Sequence, residues 1–360
     1  MQSNYKRLGD YIRQVNVRNR DLAVDNLVGL TIEKAFIPSV ANTIGTDLSN
    51  YKVISNGQFA CSLMQVSRDG KMPIAMFKGE KGIMSPAYPM FEVYRKDELL
   101  PEFLMMWFSR KEFDREVTFW AVGGVRGSLT WEDFENLNIP VPSIEKQRKI
   151  VAEYQAVEQR IENNRRLIAT LESTAQTIYR QMFVDNIDPE NLPQGWRMGK
   201  LGDIMTISSG KSLSDRVDSP NVEYKYPVSG ASGTIGYARE ANQTDKFLTT
   251  GRVGTIGVVN RYLTPAWTAD NVLVAKSPFY EYSYQVLQDV NYQELIGGGV
   301  QNLITQTGLS NIELPIPPSE KINEFERRIK DISNLSTTLD KENDTMLEVL
   351  HLLLTKLSTI

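Results

Sequence analysis

Histidine and cysteine are almost missing from this chain: its 360 residues hold one of each, Cys61 and His351. A lone cysteine cannot close an internal disulfide, which fits a reducing cytoplasm. Two such residues cannot build a Cys/His zinc cluster, so no metal site is expected. Thiol–imidazole catalysis would need both side chains in one place, and His351 reads as a helix-surface or interface residue. No run of about 18 apolar residues appears, so no membrane helix is indicated. The start, MQSNYKRLGDYIRQ, lacks the apolar core of a signal peptide. Positive charge is not in excess either, with 40 basic residues against 44 acidic ones. The balance is uneven: residues 1–150 carry +2 and residues 151–360 carry −6. An acidic total argues against a strong non-specific polyanion binder, while local basic patches still allow nucleic-acid binding shared with a partner.

Nucleotide loops are missing as well. Gly210-Lys211-Ser212 looks like the end of a P-loop, but the glycine required five residues earlier is Met205. GRVGTIG, 251–257, lacks the dinucleotide-binding spacing. No Asn-Pro-Pro-aromatic tetrad of the amino-methyltransferase kind is found. The residues make no positive case for an enzyme.

What the chain does have is a repeat. IPVPSIEKQRKI, 139–150, returns as LPIPPSEKINEF, 314–325, at an offset of 175. Aligned from Gly123 and Gly298, nine of 28 positions are identical, among them Thr130/Thr305, Asn136/Asn311, Pro140/Pro315, Pro142/Pro317 and Glu145-Lys146/Glu320-Lys321. The starts of the halves also echo, RLGDYI at 7–12 and KLGDIM at 200–205, at an offset of 193, so the second half is 18 residues shorter between its markers. Proline disfavours helix in the residue before it and donates no backbone hydrogen bond, so Pro142 and Pro317 should end strand-like segments. Ser143 and Ser319 are candidate N-caps for the helices that follow. Glu145 and Glu320 would sit near the positive helix ends.

Those helices carry heptads. One seam runs Ile150, Tyr154, Val157, Ile161, Asn164, Ile168, Leu171, Ala175, Ile178 and Met182. The other runs Phe325, Ile329, Ile332, Ser336, Leu339, Asn343, Met346, Leu350, Leu353 and Leu357, in the same phase. Sustained over more than four heptads, this pattern predicts two coiled-coil helices of about 40 residues and about 60 Å. Internal two-fold-like symmetry would make them antiparallel, with Ile150 near Leu357 and Asn164 opposite Asn343. The other reading is that each asparagine is merely tolerated.

Short β-rich runs such as YKVI, VLVA and IGVV, separated by glycine turns, mark the remaining segments as α+β, and LLPEFLMMWFSRKEFDREVTF, 99–119, reads as helical. The expected organisation is a first globular domain over 1–142, a helix over 143–184, a linker over 185–195, a second globular domain over 196–317 and a final helix over 318–360.

Two variable β-rich domains, each followed by P-x-P-x-x-E and a long helix, resemble the DNA specificity subunit of type I restriction-modification systems. SLTWEDFENLNIPVPSIEKQRKI is similar to the end of that family's first target recognition domain and its central helix. GIMSPAYPMFEV (82–93), NLPQGWRMGKLGDI (191–204), YPVSGASGTIGY and GRVGTIGVVNRYLTPAWTADNVLVAKS are similar to other stretches of it. A departure is Lys146-Gln147 and Lys321-Ile322, where the family often has Glu-Gln; the chain is also short for the family. The resemblance implies two β-rich recognition domains separated by two antiparallel helices. Each domain would read half of a split double-stranded DNA target. The helices would set the unread spacer and dock two methyltransferase subunits. Those partners would carry the S-adenosylmethionine chemistry on adenine, and an ATP- and magnesium-dependent restriction/translocase subunit can join them. This chain itself would bind none of these cofactors.

For DNA contacts, the residues singled out are Arg68, Lys71, Lys78, Lys81 and Arg126 in the first domain. In the second they are Lys211, Ser212, Arg216, Arg252 and Gln301, the last at the repeat position of Arg126. Against each one singly stands the plain reading of a solvated surface residue. Tyr88 and Trp267 could stack on an extruded base but read more readily as core aromatics. Two other classes stay open: a coiled-coil scaffold without base readout, and a fused enzyme whose site is not visible in the sequence.

Overall fold

The computed structural model describes residues 5–39, 45–64, 66–122, 128–295 and 303–359. It resolves into two compact units, Met1–Asn163 with Glu342–Ile360, and Asn164–Lys341. The division runs through both long helices, so each globular part forms one body with the helix segments packed on it.

The first unit contains β1 (Tyr5–Arg7), β2 (Ile12–Gln14), β3 (Val28–Leu30), β4 (Phe36–Pro38), β5 (Lys52–Ser55) and β6 (Phe59–Cys61). After these come α1 (Val66–Asp69), β7 (Ile74–Met76), β8 (Lys81–Met84), β9 (Met90–Val93), α2 (Pro101–Phe108), α3 (Lys111–Val122), α4 (Trp131–Glu135) and β10 (Asn138–Pro140). The long helix α5 (Ile144–Phe183) starts here. Strands β2-β9-β6-β7 form one sheet, and β3-β4 and β5-β8 are separate pairs. Side chains alternate across a strand. Phe59, Cys61, Phe91 and Val93 therefore enter the core with α2, α3 and α4, while Ala60 and Met90 enter a second layer with Val28, Ile54, Phe77 and Met84. Phe59 and Phe91 stack at 4.9 Å. The helical stretch over 99–119 is two helices, broken where Arg110 lies over the Trp107 ring at 3.8 Å.

The second unit contains β11 (Arg197–Lys200), β12 (Thr206–Ser209), β13 (Tyr226–Gly230), β14 (Gly233–Ala238), β15 (Phe247–Gly251), β16 (Val259–Tyr262), β17 (Trp267–Thr268) and β18 (Val272–Lys276). Helices α6 (Tyr280–Asp289) and α7 (Gln306–Ser310), strand β19 (Glu313–Ile316) and the long helix α8 (Ser319–Lys356) complete it. Its sheets are β12-β18-β15-β16 and β14-β13-β17. β18 is buried on both faces, which explains its unbroken VLVA run: Leu273 and Ala275 face one cluster and Val274 another.

The written repeat is a structural one. In the first half β1 pairs with β10, Tyr5 opposite Pro140; in the second β11 pairs with β19, Met198 opposite Pro315. Applying the two sequence offsets to the first pairing gives the second, register included. The details follow suit. Leu8 N–H donates to Leu137 O and Leu201 N–H to Ile312 O. Thr130 caps α4 and Thr305 caps α7. Arg7 and Lys200 reach Asn136 and Asn311 at 2.8 and 3.0 Å.

The helix starts differ. Ser143 precedes α5 and its Oγ accepts from Lys146 N–H at 3.4 Å. Ser319, expected as a cap, is instead the first residue of α8, because Pro318 fills the place of Ser143. Gln147 is fully buried; its Nε2 donates to Glu98 O (2.7 Å) and Pro142 O (2.8 Å), and its Oε1 accepts from Leu100 N–H (2.9 Å). The matching residue, Ile322, packs in an apolar core instead.

All the seam residues of α5 and α8 are buried or half-buried. Within the first unit, Ile150, Val151 and Tyr154 share a core with Leu354 and Leu357, and Arg160 meets Glu342 with a two-armed contact at 3.2 and 3.4 Å. Within the second, Tyr179 and Phe183 approach Phe325 at 6.2 and 5.5 Å. Each unit by itself thus shows the antiparallel order. Asn164 falls in the second unit and Asn343 in the first; both are buried.

Candidate nucleic-acid interface

Lys78 and Lys81 frame the turn from β7 to β8 and are both exposed. Their backbone carbonyls are fixed by side-chain amides: Asn56 donates to Lys78 O at 2.8 Å and Asn26 to Lys81 O at 3.0 Å. The turn is therefore held from two neighbouring loops while its ammonium groups reach solvent. Lys78 also lines a cleft of about 810 Å³ together with Lys34, Phe36, Met105 and Tyr154. Lys34 differs from a surface lysine. Its ammonium is pushed down by burial against the opposing pull of Asp114, 2.9 Å away.

Arg68 and Lys71 lie elsewhere in this unit, at α1, which packs on α3. Lys71 is exposed, but Arg68 is already engaged by its neighbour: Nε and Nη2 reach the two Asp69 oxygens at 2.6 and 2.9 Å. To meet a base, this exposed side chain would have to exchange the Asp69 carboxylate for it, a weak surface pair. Arg126 and Gln301 lie outside the described residues.

In the second unit, Lys211, Ser212 and Arg216 are exposed on an irregular segment after β12. No helix follows Gly210, which agrees with the failed P-loop spacing. The segment is seated closely: a Cβ on Gly210 would lie 1.9 Å from Ala269 O. Lys211 N–H donates to Thr268 O, and Trp267 Nε1 donates to Lys211 O at 3.0 Å. Arg252 sits farther along, in a tight turn where a Cβ on Gly251 would lie 1.8 Å from Thr255 O. Its Nε is buried without a hydrogen-bond partner, as is Asn271 Oδ1. The two residues are joined through Arg252 N–H and Asn271 O at 2.9 Å. Unpaired buried polar atoms beside a turn are a place where a polar ligand can compensate.

Tyr88 and Trp267 are half-buried and pack against apolar clusters of their own units. Cys61 is fully buried and its thiol is pushed far up by burial, so no thiolate forms near neutrality. His351 is exposed on α8. Among the described residues no cluster of metal-ligating side chains occurs, and no helix is long and apolar enough to cross a membrane.

Sequence reasoning passed over Arg18, Arg20 and Lys52. Their convergence depends on a bridge between Arg18 and Lys52, which no local pattern announces.

A family model described as "Type I restriction modification DNA specificity domain" matches residues 67–173 and 193–348, once over each half. The chain belongs to this family. Among curated relatives, a type I restriction enzyme MjaIX specificity subunit of Methanocaldococcus jannaschii is 25% identical over 218 residues, 51% of this chain and 50% of the relative. The chain thus matches half the length of that relative. The MjaVIII specificity subunit of the same organism is 21% identical and the match covers 97% of this chain and 91% of the relative. The type I restriction-modification system S subunit from M. genitalium has the same fold, with a TM-score of 0.58 and 15% identity over 98% of this chain and 95% of that one. The doubled match agrees with the doubled strand closure, and the family is defined by DNA specificity rather than by catalysis.

Proposed function

We propose that the chain is the sequence-reading subunit of a type I restriction-modification complex. It recognises a bipartite double-stranded DNA target, one half-site per globular part, with an unread spacer between them. The observation that carries this reading is the identical closure of the two halves, β1–β10 and β11–β19 in one register, around contents that differ. One framework holding two different surfaces suits two different half-sites. Two repeated helix segments likewise suit two copies of one partner, a methyltransferase subunit. S-adenosylmethionine, ATP and magnesium would then be handled by partner subunits, with a restriction/translocase subunit joining the methyltransferases. The work would take place in the cytoplasm, where the DNA is.

The test is a methylation map. The chain is co-expressed with an adenine methyltransferase subunit of its own system in a host without adenine methylation, and modified bases are sequenced. A split motif that disappears when this chain is omitted is the expected result. Methylation that is the same with and without this chain, although the chain binds the methyltransferase when present, would replace this reading with that of a protein scaffold.

A further inference from the structure

The loop from Asn19 to Val24 is firmly built and carries an unexplained tip. Asn19 is 1% exposed. Its Nδ2 donates to Val24 O at 2.8 Å, its Oδ1 accepts from Val24 N–H at 3.2 Å, and its own N–H donates to Tyr51 O at 3.0 Å. At the tip, Leu22 has φ of 54° and is 58% exposed. A leucine in the left-handed region is sterically unfavourable, and glycine would make this turn without that cost. Exposure means that little packing compensates it. Strain held by a rigid frame, with an apolar side chain turned to solvent, is a feature of functional loops.

The surroundings point to the ligand. Arg18 Nη1 donates to Asn50 O at 2.6 Å, and Arg20 Nη1 donates to Asn50 Oδ1 at 2.8 Å. Lys52, bridged to Arg18, donates to Tyr88 O at 2.7 Å. Its ammonium is pushed down first by burial and then by Arg18. Of the acidic groups nearby, Asp21 accepts from Ala23 N–H, and Asp47 accepts from Ser49 N–H and Asn50 Nδ2 while its carboxylate also feels the Arg20 charge. None of the three cations forms an ion pair among the described residues. Two arginines gathered on the oxygens of Asn50, in the chain segment that carries the exposed apolar tip, match a polyanion with apolar faces between its charges.

We propose that Leu22 is a wedge that enters duplex DNA between base steps, while Arg18 and Arg20 hold the flanking phosphates. This rests on the DNA-reading role above and adds readout through deformability: the first half would favour sequences that kink at low cost.

The experiment uses the full chain in complex with its methyltransferase subunit. Duplexes enriched from a randomised pool are labelled with 2-aminopurine at successive positions. Apart from the adenines that the partner extrudes for methylation, wild type should brighten one further step, reporting unstacking. Leu22→Gly should abolish the brightening and weaken binding about tenfold, with a melting temperature no lower than wild type because glycine suits the turn. Leu22→Asn, which tolerates the same backbone, guards against a folding defect. Arg20→Gln should weaken all sequences alike and reduce the salt slope by about 0.9. If a sequence is enriched but these variants bind and brighten as wild type does, the wedge is wrong and the reading role survives. If no sequence is enriched, both fail.

Discussion

Replacing Gln147 with isoleucine, its counterpart in the second half, should destabilise the first unit by about 2–4 kcal/mol. The side chain makes three bonds at 2.7, 2.8 and 2.9 Å, to Glu98 O, Pro142 O and Leu100 N–H. At about 1 kcal/mol net for each bond, their loss amounts to about 3 kcal/mol, and backbone groups left unpaired raise it. The added apolar burial of isoleucine returns about 1–2 kcal/mol. Leu100 is the N-cap of α2, where a backbone N–H has no intrahelical acceptor, and the Gln147 oxygen satisfies it. Urea unfolding gives the free energy, and hydrogen exchange at Leu100 gives the location. Gln147→Glu sharpens the test. That carboxylate would face two carbonyl oxygens, so its folded pKa should rise above the ordinary glutamate value. The folded state then binds the extra proton. Its stability is full below the unfolded pKa and falls as pH rises through the folded one. A loss below about 0.5 kcal/mol for the isoleucine variant, or a glutamate variant that gains stability with pH, would refute the reasoning.

Gly210→Ala should destabilise the second unit by more than about 2 kcal/mol, since its Cβ would meet backbone at 1.9 Å. Gly254→Ala, with φ of 78° and open space around it, should cost only about 1 kcal/mol, both read from thermal melts. Burial, and then the Glu281 carboxylate, raises the Glu326 pKa. Its contribution is therefore greatest below the ordinary glutamate range and fades as pH rises through its folded value, so Glu326→Gln should stabilise at pH 8 and be neutral at pH 4 by urea titration. Cys61, fully buried, should resist a thiol reagent in the native chain and react at once in urea; rapid native labelling would contradict its placement.

The periodic and local features were legible in advance. The heptads of α5 and α8 and the proline-ended strands each depend on residues within a turn or two, whereas Thr130 and Thr305 stood out only as repeat matches and their capping is seen in the structure. What stayed hidden depends on distance. Gln147 could be flagged as a departure from its counterpart, but its purpose lies in backbone groups up to 49 residues away. The charge of Arg68 is visible in the sequence, whereas its contact with Asp69 is a matter of rotamer. Arg18 and Lys52 looked unremarkable because the bridge that joins them spans a whole hairpin.

The matched closure of β1 on β10 and β11 on β19 bears on how such a chain changes over time. Both ends of each half come together before the helix begins, and the register does not shift although the contents differ by 18 residues in length. Whatever lies between the clasps is mechanically a cassette. Recombination that cuts at the clasps would deliver a new surface to an old frame without disturbing the helices. On the proposed reading, one such exchange would change a single half-specificity and leave the other as it was.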